Sequence, residues 1–78
     1  MEKVITLYSG PQCHLCTQAK ALIYPLLEQS GWRLEEIDIH SDPVLLERYR
    51  VRIPVVVTSA GEEKGWPFSA GQIKRMMV

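Results

Sequence analysis

Ser9-Gly10-Pro11-Gln12-Cys13-His14-Leu15-Cys16 contains both cysteines of the chain, two residues apart. The stretch follows an apolar run, Val4-Ile5-Thr6-Leu7-Tyr8, and precedes a segment with helical spacing. A strand ending at Tyr8 and a helix beginning near Cys13 would put the first thiol where backbone N–H groups have no helical partner. Those groups and the helix dipole favour negative charge, so the spacing predicts a stabilised Cys13 thiolate, the nucleophilic form. Cys16 comes one turn later on the same helix face, within reach of a disulfide. Reversible dithiol chemistry needs this spacing.

Outward from the motif, residues 14–30 place Leu15, Ala19, Leu22, Ile23, Leu26 and Leu27 at the three-four spacing of one helix face, and Gly31 is the expected C-cap. Pro25 removes one backbone donor, so a bend is expected there within a single helix. The first strand, residues 3–8, is apolar on both faces and reads as central. Residues 33–39 read as a second strand whose three acids and one Arg suit a sheet edge. Asp42 before Pro43 is an N-cap with proline at the first helical position, opening a short helix through Leu45, Leu46 and Tyr49. Val55-Val56-Val57-Thr58 reads as a central strand, and residues 59–61 turn the chain so that 62–65 can return antiparallel as the second edge. Ser69 and Gln72 have capping-box spacing, Phe68 and Ile73 the spacing of a hydrophobic staple, and a last helix carries Ile73, Met76 and Met77. Gly71 weakens that helix, so packing must hold it.

The order is β-α-β-α-β-β-α. The helical crossover makes the first two strands parallel and the short turn makes the last two antiparallel. The expected fold class is therefore α/β, a four-stranded mixed sheet flanked by helices, in a single domain of residues 1–78. In such sheets the functional crevice lies beyond the carboxyl ends of the parallel strands, where Cys13 follows the first.

Composition narrows the function classes. Nine basic and nine acidic residues cancel, so no long-range field points to nucleic acid or to a charged lipid surface. The residues at the start of the chain form no apolar signal core, and no apolar run approaches the ~20 residues of a membrane span. A cytoplasmic monomer is expected. Two cysteines in a reducing compartment suit catalysis better than a structural staple.

Leu7-Tyr8-Ser9 running into Cys13-His14-Leu15-Cys16, with Ile53-Pro54 leading into Val55-Val56-Val57, resembles the glutaredoxin branch of the thioredoxin superfamily, in particular its small bacterial glutaredoxin-like domains. The resemblance runs from residue 3 to about residue 77. It implies a thioredoxin/glutaredoxin-like fold and a dithiol-disulfide oxidoreductase with Cys13 as attacking and Cys16 as resolving thiol. It also implies a cis Pro54 facing the cysteines, with the backbone of Ile53 offering hydrogen bonds to substrate. Apart from the resemblance, a proline cannot donate to a ladder and is tolerated where the backbone turns to face a site; without the Cys-x-x-Cys pair, Pro54 would read as a proline that merely starts a strand.

Implied partners are a disulfide-containing protein or small thiol, together with a reductase system. No bound cofactor is implied, and glutathione is the suggested reductant. Glutathione-using relatives carry a basic residue shortly before the first cysteine and a Gly-Gly turn followed by an acid after the fourth strand. Here Ser9-Gly10-Pro11-Gln12 is uncharged and Gly65-Trp66-Pro67-Phe68-Ser69 replaces the glycines, which puts glutathione binding in question. Trp66 either offers a flat apolar platform to substrate or packs the end of the sheet. Arg52, the last of the alternating Arg48, Arg50 and Arg52, either clamps a substrate carboxylate or belongs to a solvated basic loop. His14 either favours the Cys13 thiolate or has little effect. Two further readings stay open: a thioredoxin-like adaptor without turnover, and a metal or iron–sulfur site completed by a second subunit.

Overall fold

The computed structural model describes residues 3–77; Met1, Glu2 and Val78, which the expected domain includes, lie outside the described residues. Strand β1 (Val4–Ser9) leads into helix α1 (His14–Ser30), strand β2 (Arg33–Asp38), helix α2 (Pro43–Tyr49), strands β3 (Val55–Thr58) and β4 (Glu63–Gly65), and helix α3 (Ala70–Met76). The sheet order is β2-β1-β3-β4. The 17 residues of α1 return the chain to the starting end of the sheet, so β2 runs parallel to β1, from Val4↔Arg33 to Ser9↔Asp38. Strand β3 runs antiparallel to β1, and β4 antiparallel to β3.

Because β1 and β3 are central, their alternate side chains feed two cores. Ile5 and Leu7 of β1 and Val56 of β3 join Ala19 and Ile23 of α1, Phe68, and Ile73 and Met76 of α3 in the larger cluster. On the opposite face Val55, Ile39 and Tyr49 form the smaller one, with Tyr8, Leu45 and Ile53 packed against it. The two polar-rich strands lie at the edges, as their charge pattern predicts.

The helix ends follow local chemistry. Asp42 caps α2 by accepting from the Val44 N–H at 2.9 Å, with Pro43 at the first helical position. At α3, Ser69 and Gln72 form the reciprocal capping box, satisfying two backbone donors that the helix itself cannot. Gly31 ends α1 at φ 75°, in the left-handed region that costs glycine little. Pro25 sits inside α1, which runs through it unbroken. One boundary differs from the sequence reading: Ile39 does not end β2 but opens a single 3-10 turn, Ile39–Ser41. The Asp38 side chain causes this by accepting the His40 N–H at 2.8 Å, which turns the chain one residue early. Among the described residues no helix is long and apolar enough to cross a membrane.

Candidate active site

Strand β1 delivers the chain to the motif with Ser9 buried at its end. Gln12 then adopts φ 56°, left-handed for a residue that rarely goes there, and this reverses the chain into α1. Cys13 is the N-cap of α1: its Sγ accepts the Cys16 N–H at 3.1 Å and its carbonyl accepts the Thr17 N–H at 3.3 Å. A sulfur therefore occupies the place that a Ser or Asp oxygen usually takes. No acidic side chain stands in the first turn of α1, so nothing there opposes the positive end of the helix dipole. Cys13 and Cys16 are joined as a disulfide, with their Cα atoms 5.2 Å apart. Cys13 is half-buried whereas Cys16 is only 2% exposed, so an incoming disulfide can meet the first sulfur and not the second.

Beside the sulfurs lies an open cavity of about 450 Å³, lined in part by Gln12, Cys13, His14 and Cys16 and also by Lys20 of α1 and Glu36 of β2. The Lys20 ammonium is 3.2 Å from the Glu36 carboxylate, which also accepts the Ser9 hydroxyl at 2.9 Å. Sequence reasoning missed this pair. The available signal was phase: Lys20 is four residues after Cys16 on one helix face, and Glu36 shares a strand face with Leu34, which packs against the α1 core.

The turn before β3 approaches the motif from the other side. The Ile53-Pro54 peptide bond is cis, as is Trp66-Pro67, and Pro54 is fully buried. A Cβ placed on Gly10 would lie 3.0 Å from Ile53 Cδ1 and 3.4 Å from His40 Cε1, so these side chains lie close against the loop leading to Cys13 and would have to give by a few tenths of an ångström to admit a larger residue there. The Ile53 N–H donates to the Tyr49 carbonyl at 3.1 Å, and the Pro54 carbonyl accepts the Trp66 N–H at 3.0 Å. Trp66 is half-buried, edge-to-face with Phe68 at 5.0 Å between ring centres, and packs against the larger core. Neither Ile53, Pro54 nor Trp66 lines the cavity that holds Lys20 and Glu36.

Arg52 does not line it either. Its Nη2 donates to Glu63 at 2.8 Å, and its guanidinium lies 5.5 Å from the centre of the Tyr49 ring. The Tyr49 hydroxyl donates to the other Glu63 oxygen at 2.9 Å, and its ring stacks on Tyr8 at 4.7 Å. The Tyr49 hydrogen bond is the main cause holding the Glu63 carboxyl below its ordinary value, Arg52 adding to it against a partial burial effect. Burial, then the Glu63 contact, pushes the Tyr49 phenol up. The bond needs a protonated phenol and an ionised carboxylate. Its stabilisation from Glu63 is therefore present above the unfolded carboxylate range and lost as pH falls through the lower folded value; that from Tyr49 is lost as pH rises through its raised one. Tyr49→Phe is expected to cost about 1 kcal/mol near neutral pH, reduced because solvent screens the carboxylate end, and to flatten the loss of stability in acid. Urea unfolding of both proteins near pH 7 and near pH 3 checks this, and equal acid losses would refute it.

Asp38 accepts the His40 N–H and faces its ring Nδ1 at 3.0 Å, contacts that hold its carboxyl below the ordinary value. Among the described residues no three His, Cys, Asp or Glu side chains converge as a metal-binding group.

Comparison with known proteins agrees with this geometry. The family described as Glutaredoxin-like domain (DUF836) matches residues 4–77. Among solved structures, the chain is similar to the structural-genomics target protein XcR50 from X. campestris, at 32% identity over 92% of each chain and a TM-score of 0.76. It is also similar to protein Ne2328 from Nitrosomonas europaea, at 24% identity, covering 100% of this chain and 94% of that one with a TM-score of 0.83. A mutant thioredoxin from Halobacterium salinarum shares the fold at 21% identity and a TM-score of 0.76, covering 97% of this chain and 73% of that one. No curated protein matches the chain. With its four-stranded mixed sheet and a Cys-x-x-Cys pair joined at the start of the first helix, the chain belongs to the glutaredoxin-like domain family of the thioredoxin superfamily.

Proposed function

We propose that the protein is a dithiol-disulfide oxidoreductase. The observation that carries this reading is the asymmetry of the pair: a half-buried Cys13 that caps α1 and accepts the Cys16 N–H, with Cys16 itself buried one turn later. In the reduced protein the Cys13 thiolate attacks a substrate disulfide, forming a mixed disulfide and releasing one thiolate. Cys16 then loses its proton and attacks the Cys13 sulfur, releasing the second thiol and closing the internal disulfide. Two electrons leave the protein for the substrate, and an external thiol or reductase system returns them. The N–H···S contact supports the first step, because a charged acceptor strengthens such a bond and so favours the thiolate.

The test is the rate of Cys13 alkylation by iodoacetamide against pH in the reduced protein. An inflection well below the ~8.5 of a free thiol is expected. An ordinary inflection, with no reduction of a model disulfide, would leave a binding module instead. Coupling turnover to glutathione with glutathione reductase, or to a thioredoxin reductase, identifies the electron donor.

A further inference from the structure

The Lys20-Glu36 pair lines the same cavity as both sulfurs, and the exchange reaction as written uses neither residue. Three observations bear on what it does. First, it is held in place from beneath: Ser9, only 4% exposed, donates to the Glu36 oxygen that Lys20 also contacts. Second, it stays within reach of solvent, the Lys20 and Glu36 side chains being 27% and 38% exposed. Lys20 spends its contacts on the two Glu36 oxygens, at 3.2 and 3.4 Å, so an ammonium with three donors keeps capacity for a further acceptor. Third, it shares the cavity with the sulfurs. Lys20 follows Cys16 by one helical turn, about 6 Å of rise, and helical side chains lean back toward the N-terminus, which is toward the sulfurs.

We propose that Lys20 and Glu36 form a subsite for the α-amino-acid group of a small disulfide or thiol, the substrate's carboxylate meeting Lys20 and its ammonium meeting Glu36. This inference rests on the oxidoreductase reading and names its substrate class. A substrate whose charges are all of one sign would be drawn to one member of the pair and repelled by the other. A zwitterion meets both with the favourable sign, and the pair, already fixed by Ser9, needs little reorganisation to receive it. The chemistry is then exchange with a disulfide of the cystine type. The Cys13 thiolate takes one half as a mixed disulfide while its amino-acid group rests on the pair, and the other half leaves as a thiolate. Attack by Cys16 then releases the bound half as a second thiol, the two electrons having come from the protein dithiol, which dithiothreitol restores.

The experiment is a steady-state comparison of four disulfides with dithiothreitol as reductant, each corrected for its uncatalysed rate. They are L-cystine (zwitterionic), cystamine (cationic), 3,3′-dithiodipropionate (anionic) and 2-hydroxyethyl disulfide (neutral). For the native protein, kcat/KM for cystine should exceed that for cystamine and for 3,3′-dithiodipropionate, whose charges are all of one sign, by about tenfold, the size of one charge-assisted hydrogen bond. In Lys20→Gln and in Glu36→Gln the ratio of cystine to 2-hydroxyethyl disulfide should fall by about the same factor, mostly through KM. Cystine no better than cystamine or dithiodipropionate would overturn the proposal, and the native protein alone decides that point if a variant fails to fold. An equal loss on all four disulfides in the variants would overturn it too, by showing a purely structural pair. Turnover of the neutral disulfide without a cystine preference removes this inference alone. Absence of turnover with every disulfide removes the oxidoreductase reading along with it.

Discussion

Cys13→Ser is expected to abolish disulfide exchange, lowering kcat/KM by at least about a thousandfold, while leaving the fold at least as stable as that of the reduced native protein, in which the Cys13–Cys16 bridge is likewise open. The two halves of that expectation come from one atom. Sγ of Cys13 is both the proposed nucleophile and the acceptor that caps α1 through the Cys16 N–H. A serine hydroxyl cannot serve as the nucleophile at neutral pH without an activating base, but it is among the best N-capping groups. Activity and stability should thus separate cleanly, the first measured with a model disulfide and the second by thermal unfolding. Cys16→Ala should behave differently: attack proceeds, resolution does not, and the protein accumulates as a mixed disulfide heavier by half the substrate. Residual turnover in Cys13→Ser, or failure of Cys16→Ala to trap an adduct, would show that the order of attack is wrong.

Ile73→Ala should have the largest effect on the fold, about 3 kcal/mol. Ile73 is fully buried and ties α3 into the cluster containing Ile5, Leu7, Ala19 and Ile23. Helix α3 has seven residues, including Gly71, and is far too short to persist unsupported. Its capping box contributes only about 1 kcal/mol at the N-terminal end. A chain of this size has roughly 5–10 kcal/mol of total stability, so the substitution should lower Tm by more than about 10 °C. Denaturant unfolding should show a reduced midpoint. A loss below about 1 kcal/mol would mean that the site collapses around the smaller side chain and that α3 is held elsewhere.

Most of the framework was legible because local chemistry and periodicity agreed. Ser69 and Gln72 announced α3, Asp42-Pro43 announced α2, and the charge on residues 33–38 marked an edge strand. Ile39 misled because its β-branched side chain continues the strand pattern while the preceding Asp38 carboxylate has already turned the backbone. The cysteines could be read from spacing alone. Spacing gives only the faces on which Lys20 and Glu36 lie, and each looks like ordinary surface charge until β1 and β2 pair with Leu7 opposite Glu36 and set the carboxylate beside Ser9. Nearness in sequence to Pro54 is what makes Arg52 a candidate carboxylate clamp. Its guanidinium faces Glu63, a partner that only the β3-β4 register, with Val57 opposite Glu63, makes available.

The capping bond also makes the amide of Cys16 a built-in gauge of oxidation state. Its proton points at the Cys13 sulfur, whose electron density changes between thiolate, mixed disulfide and closed bridge. The nitrogen and proton resonances of that single amide should therefore occupy three distinct positions, so a redox titration followed by NMR would count every chemical form of the protein in one spectrum. Helix initiation and electron content are read from the same nucleus.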